Sequence, residues 1–178
     1  SPDPAQLFPF PLDDFQLEAI DALNQGHSVV VSAPTGSGKT LVGEYAIHRA
    51  MAHGQKVFYT TPLKALSNQK LRDFREQFGA ENVGLMTGDL SVNREASIVV
   101  MTTEIFRNML YAEADEHDDP LADVEAVVLD ECHYMNDSQR GTVWEESIIH
   151  SPPPVQLVAL SATVANAGQL TDWIEKVH

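Results

Sequence analysis

The chain has 178 residues, 43% of them hydrophobic and 7% aromatic, which suits one domain with a sizeable core. Its 26 aspartates and glutamates outnumber 11 lysines and arginines, and the net charge of -15, taken whole, argues against a phosphate-rich partner. No run approaches the roughly 18 apolar residues of a membrane span, and the opening SPDPAQLFPFPLDD lacks a signal peptide's basic-then-apolar order. The single cysteine, Cys132, excludes an intrachain disulfide and a multi-cysteine zinc site. These features predict a chain with no membrane partner, in the cytoplasm or another reducing compartment.

Taken in chain order, the segment 1–14 carries four prolines between Pro2 and Pro11 and is expected to be an extended arm. HSVVVSA (27–33) is apolar at both alternate positions, as a strand buried on both faces should be. It runs into APTGSGKT (33–40), and LVGEYAIHRAMA (41–52) then has helical spacing. KVFYTT (56–61) predicts a second buried strand and LKALSNQKLRDFREQF (63–78) a helix. VGLMTG (83–88) adds a strand, SIVVMT (97–102) another, and EIFRNMLYAEA (104–114) a helix.

Seven of the 26 acids crowd into EADEHDDPLADVE (113–125), the pattern of a solvated loop. Lys64, Lys70, Arg72, Arg75, Arg94 and Arg107 fall in the middle third, so a local basic strip on an acidic protein is compatible with the charge count. VEAVVLD (124–130) predicts a strand ending in DECH, SPPPV (151–155) a stiff connector, VQLVAL (155–160) a last strand and GQLTDWIEKV (168–177) a helix. Alternation of this kind predicts an α/β fold, an open and mostly parallel sheet with helices on both faces and ligands at the carboxyl ends of its strands.

The residues at those ends carry chemistry. In the loop Thr35, Gly36, Ser37, Gly38, Lys39 and Thr40, the glycines let backbone N–H groups converge on phosphate oxygens. The following helix presents its positive end, Lys39 adds a point charge, and the Thr40 hydroxyl suits magnesium. The pattern is that of a nucleoside triphosphate cradle, with Ala33 where the strict form has glycine. A triphosphate with magnesium needs a carboxylate on a neighbouring strand end, and Asp130 and Glu131 stand there. Zinc fits poorly, because consecutive residues on a strand point to opposite faces. Cys132 reads as a small buried spacer.

APTGSGKT, DECH and LSAT (160–163), in that order and each at a strand end, resemble motifs I, II and III of the superfamily 2 DExH-box helicases. FPFPLDDFQLEAI, VFYTTPLKALSNQK, MTTEIFRNMLY and RGTVWEE are similar to the RNA helicase group that feeds the exosome in eukaryotes and has bacterial and plastid relatives. The resemblance covers nearly the whole chain. It implies a RecA-like P-loop domain over 15–178, the first of two motor domains, with ATP and magnesium as cofactors and single-stranded RNA as partner.

It also implies roles by position. Gln16 reads the adenine edge and Phe10 stacks on the base, although Phe8 and Phe15 are equally apolar. Lys39, Asp130, Glu131 and His133 form the catalytic set, with Thr40 and Asp130 on the metal. Thr61, Pro62, Leu63, Lys64, Thr102, Thr103 and Glu104, with Thr87, Gly88 and Asp89, hold the sugar-phosphate track. For the threonines, helix capping is the competing role. His133, Ser161 and Thr163 couple the nucleotide to the strand. The second motor domain with its arginines lies outside this sequence, so the chain alone is expected to be nearly inactive. A DNA helicase domain and a nucleotide-gated module that never hydrolyses are the alternatives.

Overall fold

The computed structural model describes residues 1–34, 36–112, 119–132, 155–162 and 173–177. Among the described residues, eight strands form one sheet: β1 Ser28–Ser32, β2 Lys56–Thr61, β3 Val83–Met86, β4 Ser91–Val92, β5 Ile98–Thr102, β6 Val124–Leu129, β7 Gln156–Ser161 and β8 Trp173–Val177, in the order β4-β3-β5-β2-β6-β7-β1-β8. The inner six strands are parallel, and only the edge strands β4 and β8 run antiparallel to their neighbours.

The helices are α1 Pro4–Leu7, α2 Asp14–Asn24, α3 Thr40–Ala52, α4 Lys64–Phe78 and α5 Thr103–Ala112. Helices α2, α3 and α4 cover one face, where Ile20, Tyr45, Phe74 and Tyr59 share a core. The other face packs Phe58 and Met101 against Phe106 of α5. Neighbouring residues of β2, Phe58 and Tyr59, thus serve opposite cores, which is why its apolar run shows no alternation. Helices α2 and α3 stop alike: Gly26 and Gly54 take positive φ, and the next N–H, of His27 or Gln55, bonds back to Ala22 O or Ala50 O. Such left-handed caps satisfy the last helical carbonyls and turn the chain into the next strand.

Two expectations fail. The arm is not extended throughout, because Asp3 caps the one-turn helix α1 by accepting from Ala5 N–H at 3.0 Å, and Pro4 sits at the first helical position, where its missing N–H costs nothing. Within 168–177, residues 173–177 form strand β8 rather than helix, paired with all five residues of β1. The outer edge of β1 offers unpaired backbone groups, and satisfying them overrides the local helical spacing of WIEKV.

Candidate functional site

The carboxyl ends of the six parallel strands line one edge of the sheet. At the end of β1, Ala33 N–H donates to Ser161 O at 3.1 Å, tying the loop that follows to the end of β7. Ser37 N–H closes a turn on Pro34 O at 3.1 Å, and Gly36 and Gly38 adopt φ of 86° and 89°, which side chains disfavour. Among the described residues, the N–H groups of Gly36, Gly38, Lys39 and Thr40 find no protein acceptor. The Ser37 hydroxyl is buried and equally unpartnered. Lys39 is buried at the start of α3. Unmet donors around a helix N-terminus with one lysine are what phosphate oxygens require. Thr35 lies outside the described residues.

Gln16 is buried and spans two elements: its Oε1 accepts from Asp13 N–H at 2.8 Å, and its Nε2 donates to Gly38 O at 3.0 Å. It therefore clips the phosphate loop to the start of α2. Burial separates the three phenylalanines that the sequence leaves equivalent: Phe8 and Phe15 are 7% and 8% exposed, and Phe10 is 51% exposed. Phe10 lines a groove of 520 Å³ with Pro9, Pro11, Leu12 and Leu17. The arm is anchored beside it, since Phe8 meets His48 edge-on at 5.9 Å, His48 packs on Phe78 at 4.9 Å, and Tyr45 OH donates to Pro2 O at 2.7 Å. Burial lowers the His48 pKa from its ordinary value.

Asp130 follows β6 directly, and its N–H donates to Thr60 O of β2 at 2.9 Å. The pairs Leu129–Ala159 and Leu160–Val31 put it level with the end of β1, two strands away, or about 10 Å at the usual spacing. Only 3% exposed, Asp130 accepts from Tyr59 OH at 2.6 Å and from Glu131 N–H at 2.9 Å, and Lys70 Nζ lies 3.8 Å from its Oδ2. Burial first, then the Asp130 charge, push the Tyr59 pKa well above its ordinary value, so the hydroxyl remains a donor. Glu131 has φ of 53°, a left-handed backbone for a side chain that ordinarily avoids it. Burial also raises the pKa of Glu44, one turn into α3, with Lys70 opposing. Cys132 is buried in the second core, and His133 lies outside the described residues.

Tyr59 and Lys70 escape a motif reading. The signal for Tyr59 was present: a phenol in a strand buried on both faces must find a partner, and the nearest strand-end carboxylate is Asp130.

The remaining candidates gather at the ends of the adjacent strands β2, β5 and β3. Thr61 is buried, its hydroxyl donating to Leu63 O at 2.9 Å and lying 2.9 Å from Ser67 Oγ, so it shapes the turn into α4 through Pro62. Leu63 and Lys64 are exposed at the start of α4. Thr102 caps α5 by accepting from Ile105 N–H at 3.3 Å. The buried Thr103 hydroxyl has no hydrogen-bond partner among the described residues, and Glu104 is exposed. Thr87 closes the β3–β4 turn on Leu90, leaving Gly88 and Asp89 exposed. Lys64 Nζ binds Asp89 at 2.7 Å and lowers that carboxyl's pKa, bridging the ends of β2 and β3. Of the six middle-third cations, Lys64 and Lys70 are paired with acids, and Arg94 lies beside Lys56 and Asp123 at the opposite edge. Ser161 anchors the phosphate loop through its carbonyl, and Thr163 lies outside the described residues.

A family model described as DEAD/DEAH box helicase matches residues 13–170. The chain is 56% identical over 174 residues to the DExH-box ATP-dependent RNA helicase DExH15, chloroplastic, of Arabidopsis thaliana, covering 97% of this chain and 15% of that protein. It is 56% identical over 170 residues to the probable helicase HelY of Mycobacterium tuberculosis, covering 96% and 18%. To the antiviral helicase SKI2 of Saccharomyces cerevisiae it is 53% identical over 173 residues, covering 97% and 13%. The chain thus spans less than a fifth of the length of these relatives. Among solved structures, the helicase MrfA bound to DNA and AMPPNP superposes with a TM-score of 0.71 at 20% identity, over 89% of this chain and 25% of that one. The UvsW helicase of bacteriophage T4 gives 0.62 at 20% identity, over 85% and 52%. These two establish the RecA-like helicase fold. The chain belongs to the DEAD/DEAH box helicase family, in the DExH branch that includes SKI2, HelY and the chloroplast enzyme.

Proposed function

We propose that residues 15–178, with 1–14 as an arm, act as the first motor domain of an ATP-dependent RNA helicase. ATP and magnesium bind along the ends of β1 and β6, and single-stranded RNA along the ends of β2, β5 and β3. The observation that carries this reading is the pairing of unmet donors around Gly36–Thr40 with a buried carboxylate, Asp130, level with them on the same sheet edge. The unpartnered Ser37 hydroxyl and the glycine backbone fit a triphosphate, and Thr40 and Asp130 supply the oxygen ligands that magnesium takes.

Lys39 neutralises phosphate oxygens, and Glu131 orients the attacking water and accepts its proton. Magnesium, when bound, disperses the charge that develops on those oxygens. Gln16 and Phe10 meet the adenine. His133, Ser161 and Thr163 pass the nucleotide state toward the strand. The exposed helix starts at Lys64 and Glu104, with the Thr87–Asp89 turn, hold backbone phosphates, which reads no sequence. RNA is favoured because DExH15 is named an RNA helicase. Fast turnover is assigned to a protein that also carries a second motor domain, whose arginine is worth a factor of about a thousand or more.

Phosphate release by this chain alone, with no nucleic acid, with single-stranded RNA and with single-stranded DNA, tests the reading. We expect nucleotide binding with near silence in all three. DNA-only stimulation would favour a DNA helicase, brisk turnover would remove the need for a second domain, and absence of nucleotide binding would overturn the reading. In the longer protein, RNA-dependent turnover is expected, and its absence there would favour the nucleotide-gated module.

A further inference from the structure

Asp130 meets two side chains that no nucleotide contact explains. Tyr59 OH donates to its Oδ2 at 2.6 Å, and Lys70 Nζ lies 3.8 Å from the same oxygen. Oδ1 is held from the other side by Glu131 N–H at 2.9 Å. Both oxygens are thus aimed before any cation arrives. The two partners are themselves fixed: the Tyr59 ring is fully buried and packs edge-on against Phe74 at 4.8 Å, and Lys70 Nζ sits 5.7 Å from the centroids of both rings. Lys70 belongs to α4, so a helix that starts at the nucleic-acid edge reaches the metal carboxylate.

We infer that Tyr59 and Lys70 are positioning residues of the metal carboxylate, Tyr59 by orienting Asp130 and Lys70 as a resident counter-ion that magnesium must displace. The inference rests on the magnesium role proposed for Asp130. A hydrogen bond to a ligating carboxylate fixes its lone pairs and strengthens metal binding. An ammonium beside it acts the other way, because it already neutralises the carboxylate and repels a second cation. The two side chains therefore oppose each other, a pattern that support of the fold alone does not produce.

The test is the affinity of this chain for mant-ADP in EDTA and in saturating Mn²⁺, used in place of Mg²⁺, with the ratio of the two as the readout. Tyr59→Phe should lower the ratio about tenfold, within the range usual for lost partners of a metal ligand, while the EDTA affinity stays put. Lys70→Met should raise the ratio, and Lys70→Arg should restore it. Lys70 is on the edge of the core, so its variants keep the test open should Tyr59→Phe fold poorly. Asp130→Asn separates the failures. If Asp130→Asn leaves the ratio unchanged, the magnesium assignment falls; if it lowers the ratio and Tyr59→Phe does not, the orienting role falls alone. A Lys70→Met ratio equal to or below wild type overturns the counter-ion role.

Discussion

Replacing Gln16 by alanine separates two roles for one amide. Base reading needs only the outward half of the amide, whereas the structure shows one oxygen lone pair used on Asp13 N–H and one nitrogen hydrogen used on Gly38 O. Each neutral hydrogen bond contributes about 0.5–1.5 kcal/mol net. Asp13 and Gly38 are both exposed, so water can take over after the deletion and the pair together should cost about 1–2 kcal/mol, at the lower end of that range. For a domain of this size that is a drop in Tm of roughly 3–6 °C. Releasing Gly38 O also frees the phosphate loop, so affinity should fall for ATP and GTP alike, with ATP losing more. Thermal melts and titrations with mant-ATP and mant-GTP measure both effects. An unchanged Tm, with the loss confined to ATP, would refute the clip and leave base reading alone.

Lys39→Ala should abolish nucleotide binding in the same titration, and retained binding would remove the phosphate-cradle assignment. Glu131→Gln should leave nucleotide affinity within about twofold and stop phosphate release in a protein carrying both motor domains, by analogy with the large losses on removing a water-orienting group; continued release would assign that role elsewhere. His48, whose pKa burial lowers, should contribute stability above its unfolded pKa that is lost as pH falls toward the folded value, because the unfolded chain takes up the proton first. Glu44, raised by burial, acts with the opposite sign, so the measure is the Tm difference between wild type and His48→Phe from pH 7.5 downward; a flat difference would refute it. Binding of single-stranded RNA by this chain should show a shallow salt dependence, a log–log slope near about -1, since each phosphate neutralised on a single strand contributes about -0.7. A slope steeper than about -3 would show that side-chain cations such as Arg107 carry the contact, and would refute a grip by backbone and hydroxyl.

The inner strands and most helices were legible because each depends on its own residues. The apolar run VVV of β1, with Val29 and Val31 buried and Val30 half-buried, and the left-handed glycines ending α2 and α3 speak locally. Strand β8 was not legible, because what makes 173–177 extended is the open edge of β1, about 140 residues earlier in the chain. The same limit applied at the site. Gly36, Gly38 and Asp130 could be placed by motif, yet which of Phe8, Phe10 and Phe15 keeps a free face depends on where α3 and α4 leave room. Gln16 reads as an adenine contact in sequence, and its hold on Gly38, 22 positions later, appears only when the chain brings the loop back.

The charge pattern resolves in the same physical terms. A net charge of -15 argues against a nucleic-acid partner only if phosphates are to be met by side-chain cations. At the candidate edge two lysines are already committed, Lys64 to Asp89 and Lys70 to Asp130. Beside them stand backbone and hydroxyl donors: the starts of α4 and α5, the Thr103 hydroxyl, unpartnered among the described residues, and the exposed turn at Gly88. Helix N-termini attract phosphate through oriented N–H groups, an effect confined to the first turn and independent of the protein's total charge. A strand can thus be held at close range by a protein that repels it at long range. On the proposed function the cost falls on the rate of encounter and leaves the grip intact, so the acidic surface is expected to select against loose binding along arbitrary polyanions while the proposed strand-end contacts retain a seated strand.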